Sequence, residues 1–368
     1  MLYSKQVLFP KVSKTNQYMF SLSSWKHLRI PFSFYLLPVF IFALAFTPNH
    51  DPERMLLVFI TLHLFLYPSS NGYNSYFDKD EGSIGGLKNP PKVKKDLYFL
   101  SLIFFLVSII LAACINISFA GMVIIYGFVS MAYSHPSIRL KKMPYISWVV
   151  AGFFQGCFTF CMAYAGLSDF GFEVLGKSHV FIPGLLTSIM LWGSYPLTQV
   201  YQHEEDSKRG DQTLSLKLGI KGTFLFSSIW FLFAGLAFAW FFLDKNQDWA
   251  FYGFLAAMLP VILYFYVWFW FIRKDENKYA NYTWAMWMNR ISAIALNIFF
   301  GWPYFAGVLL SSVTTMLFLA TIQLGIKSLE MIVFSFVAIM SIALFVESGV
   351  VGVDGKALMQ GWVYGFTE

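Results

Sequence analysis

Asn71-Gly72-Tyr73-Asn74-Ser75-Tyr76-Phe77-Asp78 closes one apolar run of this chain, and Gln199-Val200-Tyr201-Gln202-His203-Glu204-Glu205-Asp206 closes another. Both read amide-x-x-amide-x-x-x-Asp, and both are followed four residues on by a glycine, Gly82 and Gly210. On a helix this spacing puts all three polar groups on one face. The later glycine suits a helix C-terminus or a loop. A polar unit used twice at identical spacing, each time where hydrophobicity ends, implies an internal duplication with chemistry at one end.

Around these units the sequence is apolar. Hydrophobic residues make up 57% of the 368 positions and charged residues only 12%, against about 25% charged in soluble domains. Apolar runs lie at about 31–47, 55–70, 96–114, 116–134, 144–166, 180–201, 223–243, 250–272 and 286–308. Their lengths match a hydrocarbon core of about 30 Å. They lack the alternation of barrel strands, so they predict helices, which satisfy their own backbone hydrogen bonds in lipid. The second motif falls four spans after the first, on the same side of the membrane. The expected fold is an all-α polytopic membrane protein, a nine-helix bundle of two parallel four-helix halves. An inverted-repeat transporter would oppose its halves instead.

The net charge of +6 raises the question of nucleic acid, but its distribution answers it. Segments 1–30, 79–95, 135–143, 203–222 and 273–290 hold 21 Lys and Arg, and the opposite loops hold 3. That asymmetry is the positive-inside signal. It puts the N-terminus and both motif loops on the cytoplasmic side, with a bacterial inner membrane as the expected setting. The basicity is topological, and the partner it implies is membrane lipid, with no nucleic acid; oligomeric state is not encoded legibly.

Residues 1–30 lack Asp and Glu and carry five Lys or Arg, four of them Lys. Transit peptides favour Arg, so an interfacial lead-in helix around Trp25, Lys26, His27 and Arg29 is the preferred reading. Cys114, Cys157 and Cys161 all fall in apolar spans; the 157/161 pair reads as helix packing, since no nearby His or carboxylate completes a metal site.

Amides and carboxylates at the mouth of a bundle are oxygen ligands for a hard cation. Mg²⁺ commonly binds through one or two carboxylates plus substrate phosphates. Asp78 and Asp206 supply that pair, with Asn71, Asn74, Gln199 and Gln202 adding neutral oxygens. Cations stand nearby on three same-side loops: Lys88 in the first, Arg139 and Lys141 in the second, Lys208 and Arg209 in the third. Lys88, Arg139, Lys141 and Lys208 are the expected cradle for a diphosphate, whose departing charge is best stabilised by metal and Lys/Arg clamps.

These residues resemble the UbiA superfamily of intramembrane prenyltransferases. The family's N-D-x-x-D-x-x-x-D motif aligns with 70–78, and its D-x-x-x-D motif with 202–206. The run Asp206-Ser207-Lys208-Arg209-Gly210-Asp211-Gln212-Thr213-Leu214 and onward to Gly219 matches the family's D-x-x-x-G-x-x-T-L-x-x-x-L-G. Tyr133-Ser134-His135-Pro136 through Lys142 resembles its loop with Tyr, Pro and Leu-Lys-Arg, and Lys88-Asn89-Pro90-Pro91 its basic-proline segment. The likeness spans about 20–308. It implies a lateral opening to lipid, Mg²⁺-bridged diphosphate at the two motifs, and a lipophilic acceptor, commonly an aromatic or quinone precursor, attacking the prenyl C1. Asp78, Asp206 and Asn74 are then the catalytic candidates.

The departures are specific. Asn71, Asn74 and Gln202 stand where the family has Asp, so ligand oxygens persist while three negative charges are lost. Metal binding without substrate should be weak, and one Mg²⁺ can replace two. Asp80, Glu81, Glu204 and Glu205 are near in sequence, though on a continuing helix Glu204 and Glu205 point away from Asp206. His203 is a possible acceptor-side base. The alternatives are a transporter and a non-catalytic lipid-binding relative. The expected domains are 1–30 as interfacial segment, 31–308 as the prenyltransferase-like domain, and 309–368 as a hydrophobic extension with one or two more helices.

Overall fold

The computed structural model describes residues 20–48 and 51–301. The expectations for the extreme N-terminus and for the 309–368 extension fall outside these residues. Eight described helices are long and apolar enough to cross a membrane: α1 (Leu22–Phe46), α2 (Pro52–Asp78), α3 (Asp96–Ile115), α4 (Ile117–Ser134), α5 (Pro144–Leu167), α6 (Ser178–Gln199), α7 (Leu214–Asp244) and α8 (Asp248–Lys274). A further helix, α9 (Tyr282–Phe300), carries Asn289, Arg290 and Asn297 among its apolar residues. No strand is formed among the described residues. The chain is an integral multi-pass membrane protein.

Local chemistry sets the breaks between helices. Asn116 links α3 to α4 alone: its backbone is extended, its Oδ1 accepts from the Phe119 amide at 2.7 Å, and its Nδ2 donates to the Ala165 carbonyl of α5 at 2.7 Å. One side chain thereby caps α4 and ties it to the next half. Thr213 caps α7 by accepting from Leu216 N. Gly219 then takes φ +69 within α7, a left-handed angle that glycine adopts freely. The helix is kinked there: a short turn from Leu214 precedes Gly219, and the apolar run expected from about 223 lies in the long segment that follows the kink. The lead-in segment is helical over Leu22–His27. It rests on α3, with Trp25 edge-on to Phe104 and Ser21 N donating to Asp96 Oδ2 at 2.6 Å.

Neighbouring helices pack in chain order, α2 on α3, α3 on α4, α4 on α5, α5 on α6, α6 on α7, α7 on α8 and α8 on α9. Helix α9 returns to α1, and α1 also meets α5, so the bundle closes on itself. Phe42 of α1 is a hub of that closure, stacked on Phe300 at 4.1 Å and edge-on to Phe160 of α5 at 5.5 Å. Phe238 of α7 stacks on Phe254 of α8 at 4.7 Å.

The α5–α6 seam depends on small residues. Gly156 lies so close to Ser188 that a Cβ there would sit 2.6 Å from the Ser188 backbone N and Cα. Ser188 Oγ meanwhile donates to the Gly152 carbonyl and accepts from Cys157 N. Close backbone approach through small residues is a principal way helices associate in lipid. Gly156→Val is therefore expected to push the two helices apart and to cost at least the about 1–3 kcal/mol typical of overpacking. A lowered thermal midpoint in detergent, relative to wild type, is the check, and an unchanged midpoint would contradict the seam.

Candidate active site

The first motif lies on an uninterrupted helix, and the second does not. Residues Tyr67–Asp78 are α-helical, ended by Lys79 in a left-handed conformation whose amide donates to Ser75 O at 3.0 Å. Lys79, not Gly82, is the cap. In the second motif, the α-helix gives way to a 3-10 turn over Tyr195–Gln199, and a separate short helix spans His203–Arg209. The expectation that Gln199, Gln202 and Asp206 share one helix face is thus corrected. Pro196 is the reason: it has no N–H to offer the Trp192 carbonyl, which accepts instead from the Trp148 indole at 2.8 Å. Gln202 becomes the residue before the short helix, and Gly210 caps that helix at φ +70.

What meets between the two motif regions is a network of ion pairs. Asp78, at the end of α2, accepts from Lys141 Nζ, and Arg139 Nη2 lies 3.8 Å from the same oxygen. Lys141 Nζ is also 3.2 Å from Asp211 Oδ2. Arg139 clamps Asp211 with two bonds, Nε to Oδ1 at 2.8 Å and Nη2 to Oδ2 at 3.0 Å. Arg209 reaches Asp211 at 3.2 Å, Asp206 at 2.7 Å and Asp80. Asp78, Asp206, Asp211 and Lys141 are all buried. A single cluster therefore joins the end of α2, the α4–α5 loop and the α6–α7 loop.

The charges perturb one another. Burial raises the Asp206 carboxyl to about 7, with the Asp211 and Asp78 charges adding to the effect and Lys141 opposing it. Burial also pushes Asp211 upward, but hydrogen bonding from Arg139 and the charge of Lys141 hold it below its ordinary value. The bond to Asp211 raises Arg139.

The amides are engaged in the framework. Asn71 Nδ2 donates to Leu28 O at 3.4 Å, Asn74 Nδ2 to Ser134 Oγ at 2.8 Å, and Gln202 Nε2 to Ser83 O at 3.4 Å. Gln199 Oε1 accepts from the Ser215 amide at 3.3 Å, at the start of α7. Lys88 and Lys208 are exposed, and Lys208 pairs with Glu204 on its own helix. His203 bonds Ser215 Oγ at 2.8 Å and is lowered by burial. The structure adds Asp211, which lies outside the repeated spacing, and Arg209 in place of its neighbour Lys208. It also adds Arg29, a buried residue at φ +47 that donates to Gly85 O at 3.0 Å and Asn71 O at 3.1 Å.

An apolar cavity of about 610 Å³ lies within the bundle. Ser70 and Asn71 of α2, and Tyr195 and Thr198 of α6, line it, on the two helices that lead to the charged loops. Phe231 and Phe238 of α7, Phe254 of α8 and Phe300 of α9 form part of its apolar wall. The Tyr133 and Tyr195 hydroxyls hydrogen-bond to each other and bind α4 to α6 across the halves.

This helical fold has counterparts among known proteins. The model of the UbiA prenyltransferase family matches residues 35–291. The chain belongs to the UbiA prenyltransferase family. Solved structures of a UbiA homolog from Archaeoglobus fulgidus resemble it. The one bound to GPP and Mg²⁺ is 19% identical with a TM-score of 0.55, covering 76% of this chain and 98% of its own. The one bound to DMAPP and Mg²⁺ is 18% identical, with the same TM-score and coverages. A structure described for digeranylgeranylglyceryl phosphate synthase is 20% identical with a TM-score of 0.50, covering 76% and 96%. At these identities the likeness speaks to the fold. No curated protein sequence matches the chain.

The family implies a divalent metal, and the donor set can be tested against one. Among the described residues no three His, Cys, Asp or Glu side chains gather as a metal-binding set. The carboxylates fit an ion that a diphosphate carries in rather than a pre-formed cage: Asp78 and Asp206 are buried at the two helix ends, each already paired with a base of the chain. Mg²⁺ held by a carboxylate or two plus substrate phosphates needs no full protein cage.

Proposed function

We propose that this family member transfers an isoprenoid group from a prenyl diphosphate to a lipophilic acceptor, with an aromatic or quinone precursor as the acceptor class. The observation that carries the reading is that α2 and α6, whose side chains line the apolar cavity, are also the helices that lead into the ion-pair cluster. An amphiphile with a polyanionic head and a hydrocarbon tail suits both parts at once. Arg139, Lys141 and Arg209 orient the head, Asp78 and Asp206 are the carboxylates for Mg²⁺, and the aromatic walls exclude water from C1. Bound Mg²⁺ would neutralise charge on the leaving diphosphate. In the transfer itself the C1–O bond breaks with its electron pair going to the diphosphate. The acceptor atom bonds to C1 and gives up a proton. The positive-inside bias supports a cytoplasmic face for the cluster, and 31–308 is the proposed extent of the catalytic domain.

The test is release of diphosphate and formation of a prenylated product from purified protein in lipid, with Mg²⁺, an allylic prenyl diphosphate and a panel of aromatic acceptors. Release with no product would point to hydrolysis, and stoichiometric binding without release to a lipid-binding relative.

The Asp206 carboxyl gives the reading a pH signature. With its value raised to about 7, the group keeps its proton below neutrality, and a metal ion must displace that proton. Apparent Mg²⁺ affinity in the presence of inorganic pyrophosphate should fall as pH drops below 7, approaching tenfold per unit, and level off above it. Calorimetry in buffers of different ionisation enthalpy would show a proton released on binding near pH 6. A flat affinity across about pH 6–8, after correction for pyrophosphate protonation, would remove Asp206 from the metal site.

A further inference from the structure

We propose that Lys141 is a resident cation of the site, occupying a bridging position between the two halves that a divalent ion would otherwise take. The inference rests on the reading of this cluster as a diphosphate site, and its test is independent of turnover.

The geometry is that of a bridging ion. The Lys141 ammonium contacts Asp78 Oδ1 and lies 3.2 Å from Asp211 Oδ2. Asp78 ends α2 in the first half, while Asp211 precedes α7 in the second. One cationic centre therefore spans the same inter-half gap that a metal held by both halves would span. The ammonium reaches there because Arg139 adopts φ +45 and a short 3-10 turn over Leu140–Lys142 directs the lysine inward, leaving it only 6% exposed. The turn is itself anchored, since Arg139 is clamped bidentately on Asp211.

Charge balance explains why a lysine suffices. Asp78, Asp80, Asp206 and Asp211 face Arg139, Lys141 and Arg209 in linked pairs, four acids against three bases. With Asn71, Asn74 and Gln202 as amides, the site lacks the carboxylates that a second divalent ion would need. A buried charge must be paired to be tolerated, and here the chain supplies both partners. The substrate then has to bring in a single divalent ion.

Mn²⁺ provides a spectroscopic count. Wild-type protein in nanodiscs is titrated with Mn²⁺, and free ion is measured by electron paramagnetic resonance, first alone and then with excess inorganic pyrophosphate. The expected result is weak binding alone and one Mn²⁺ per chain with pyrophosphate. Lys141→Met empties the bridging position while leaving two carboxylates there. It should bind Mn²⁺ without pyrophosphate at least tenfold more tightly than wild type, and the double change Lys141→Met with Asp78→Asn should lose that gain. Two Mn²⁺ per wild-type chain with pyrophosphate would overturn the proposal, as would unchanged Mn²⁺ binding in folded Lys141→Met. The wild-type count stands even if the variant does not fold. One Mn²⁺ together with absent prenyl transfer would retain Lys141 as resident cation while discarding the transferase reading.

Discussion

Asp206→Asn and Asp78→Asn are each expected to reduce diphosphate release from a prenyl diphosphate by about 10²–10³-fold, the range seen when one preorganised electrostatic contact to a developing charge is removed. The isosteric change keeps the side-chain volume but removes the last motif carboxylate on its half. At the other motif positions an amide already stands, so no charge is left to substitute. Neither change strands a base, because Asp211 continues to pair Arg139, Lys141 and Arg209. Asn74→Ala should act more mildly, since its amide nitrogen is bonded to Ser134 Oγ and only its oxygen is available to a ligand. Gln199→Ala should lower stability before activity, because its Oε1 holds the first turn of α7 through Ser215 N. Measuring release and thermal midpoint on the same preparations separates these cases. If Asp78→Asn and Asp206→Asn release diphosphate at the wild-type rate, the cluster is not where the head group binds.

Much of the fold could be read from hydropathy because the membrane imposes a single solution on long apolar runs. Even the tight link between α3 and α4 was visible as two abutting runs, with the gap read one residue early, at 115 instead of Asn116. The charged site was half legible. Asp78 and Asp206 stood out by repetition, and the structure joins both to one network. Asp211 escaped notice because it lies beyond the repeat, in a stretch that reads as loop after Gly210. Its signal was indirect: two bases in the 139–141 loop required more acid than Asp78 could supply. Lys208 and Arg209 are adjacent in sequence, but a helical step of 100° separates them. Arg209 is three residues from Asp206 and pairs with it, whereas Lys208 is four from Glu204 and pairs outward. Arg29 read as part of the topology signal, yet it is buried against backbone carbonyls; composition cannot distinguish a basic residue facing lipid headgroups from one turned inward by a left-handed residue before Pro31. The broken second motif was predictable from Pro196, whose missing donor outweighs any face assignment by periodicity.

Asp211→Ala carries the largest expected effect on stability. The Asp211 side chain is fully buried and receives Arg139 twice, Lys141 once and Arg209 once. Removing it leaves three cations with Asp78, Asp80 and Asp206 as their remaining acids, and leaves both bidentate donors of Arg139 without an acceptor. Breaking a buried pair by deleting one partner typically costs about 3–5 kcal/mol, because the surviving charge is stranded away from water. The loss should be concentrated in the α4–α5 and α6–α7 loops, which Asp211 ties to the end of α2 through Lys141. Hydrogen exchange would therefore rise at 137–143 and 203–213 before the bundle melts, and the thermal midpoint would fall. Asp211→Asn should recover little, since an amide can accept from only one arm of the guanidinium and carries no charge. Pairing Asp211→Leu with Arg139→Met should recover more than either single change, because it removes the stranded donor together with its acceptor. If Asp211→Ala melts within about 1 kcal/mol of wild type, a cost in the range of an exposed pair, then Asp211 is not the keystone of the cluster, and Lys141 and Arg139 must be held by other contacts.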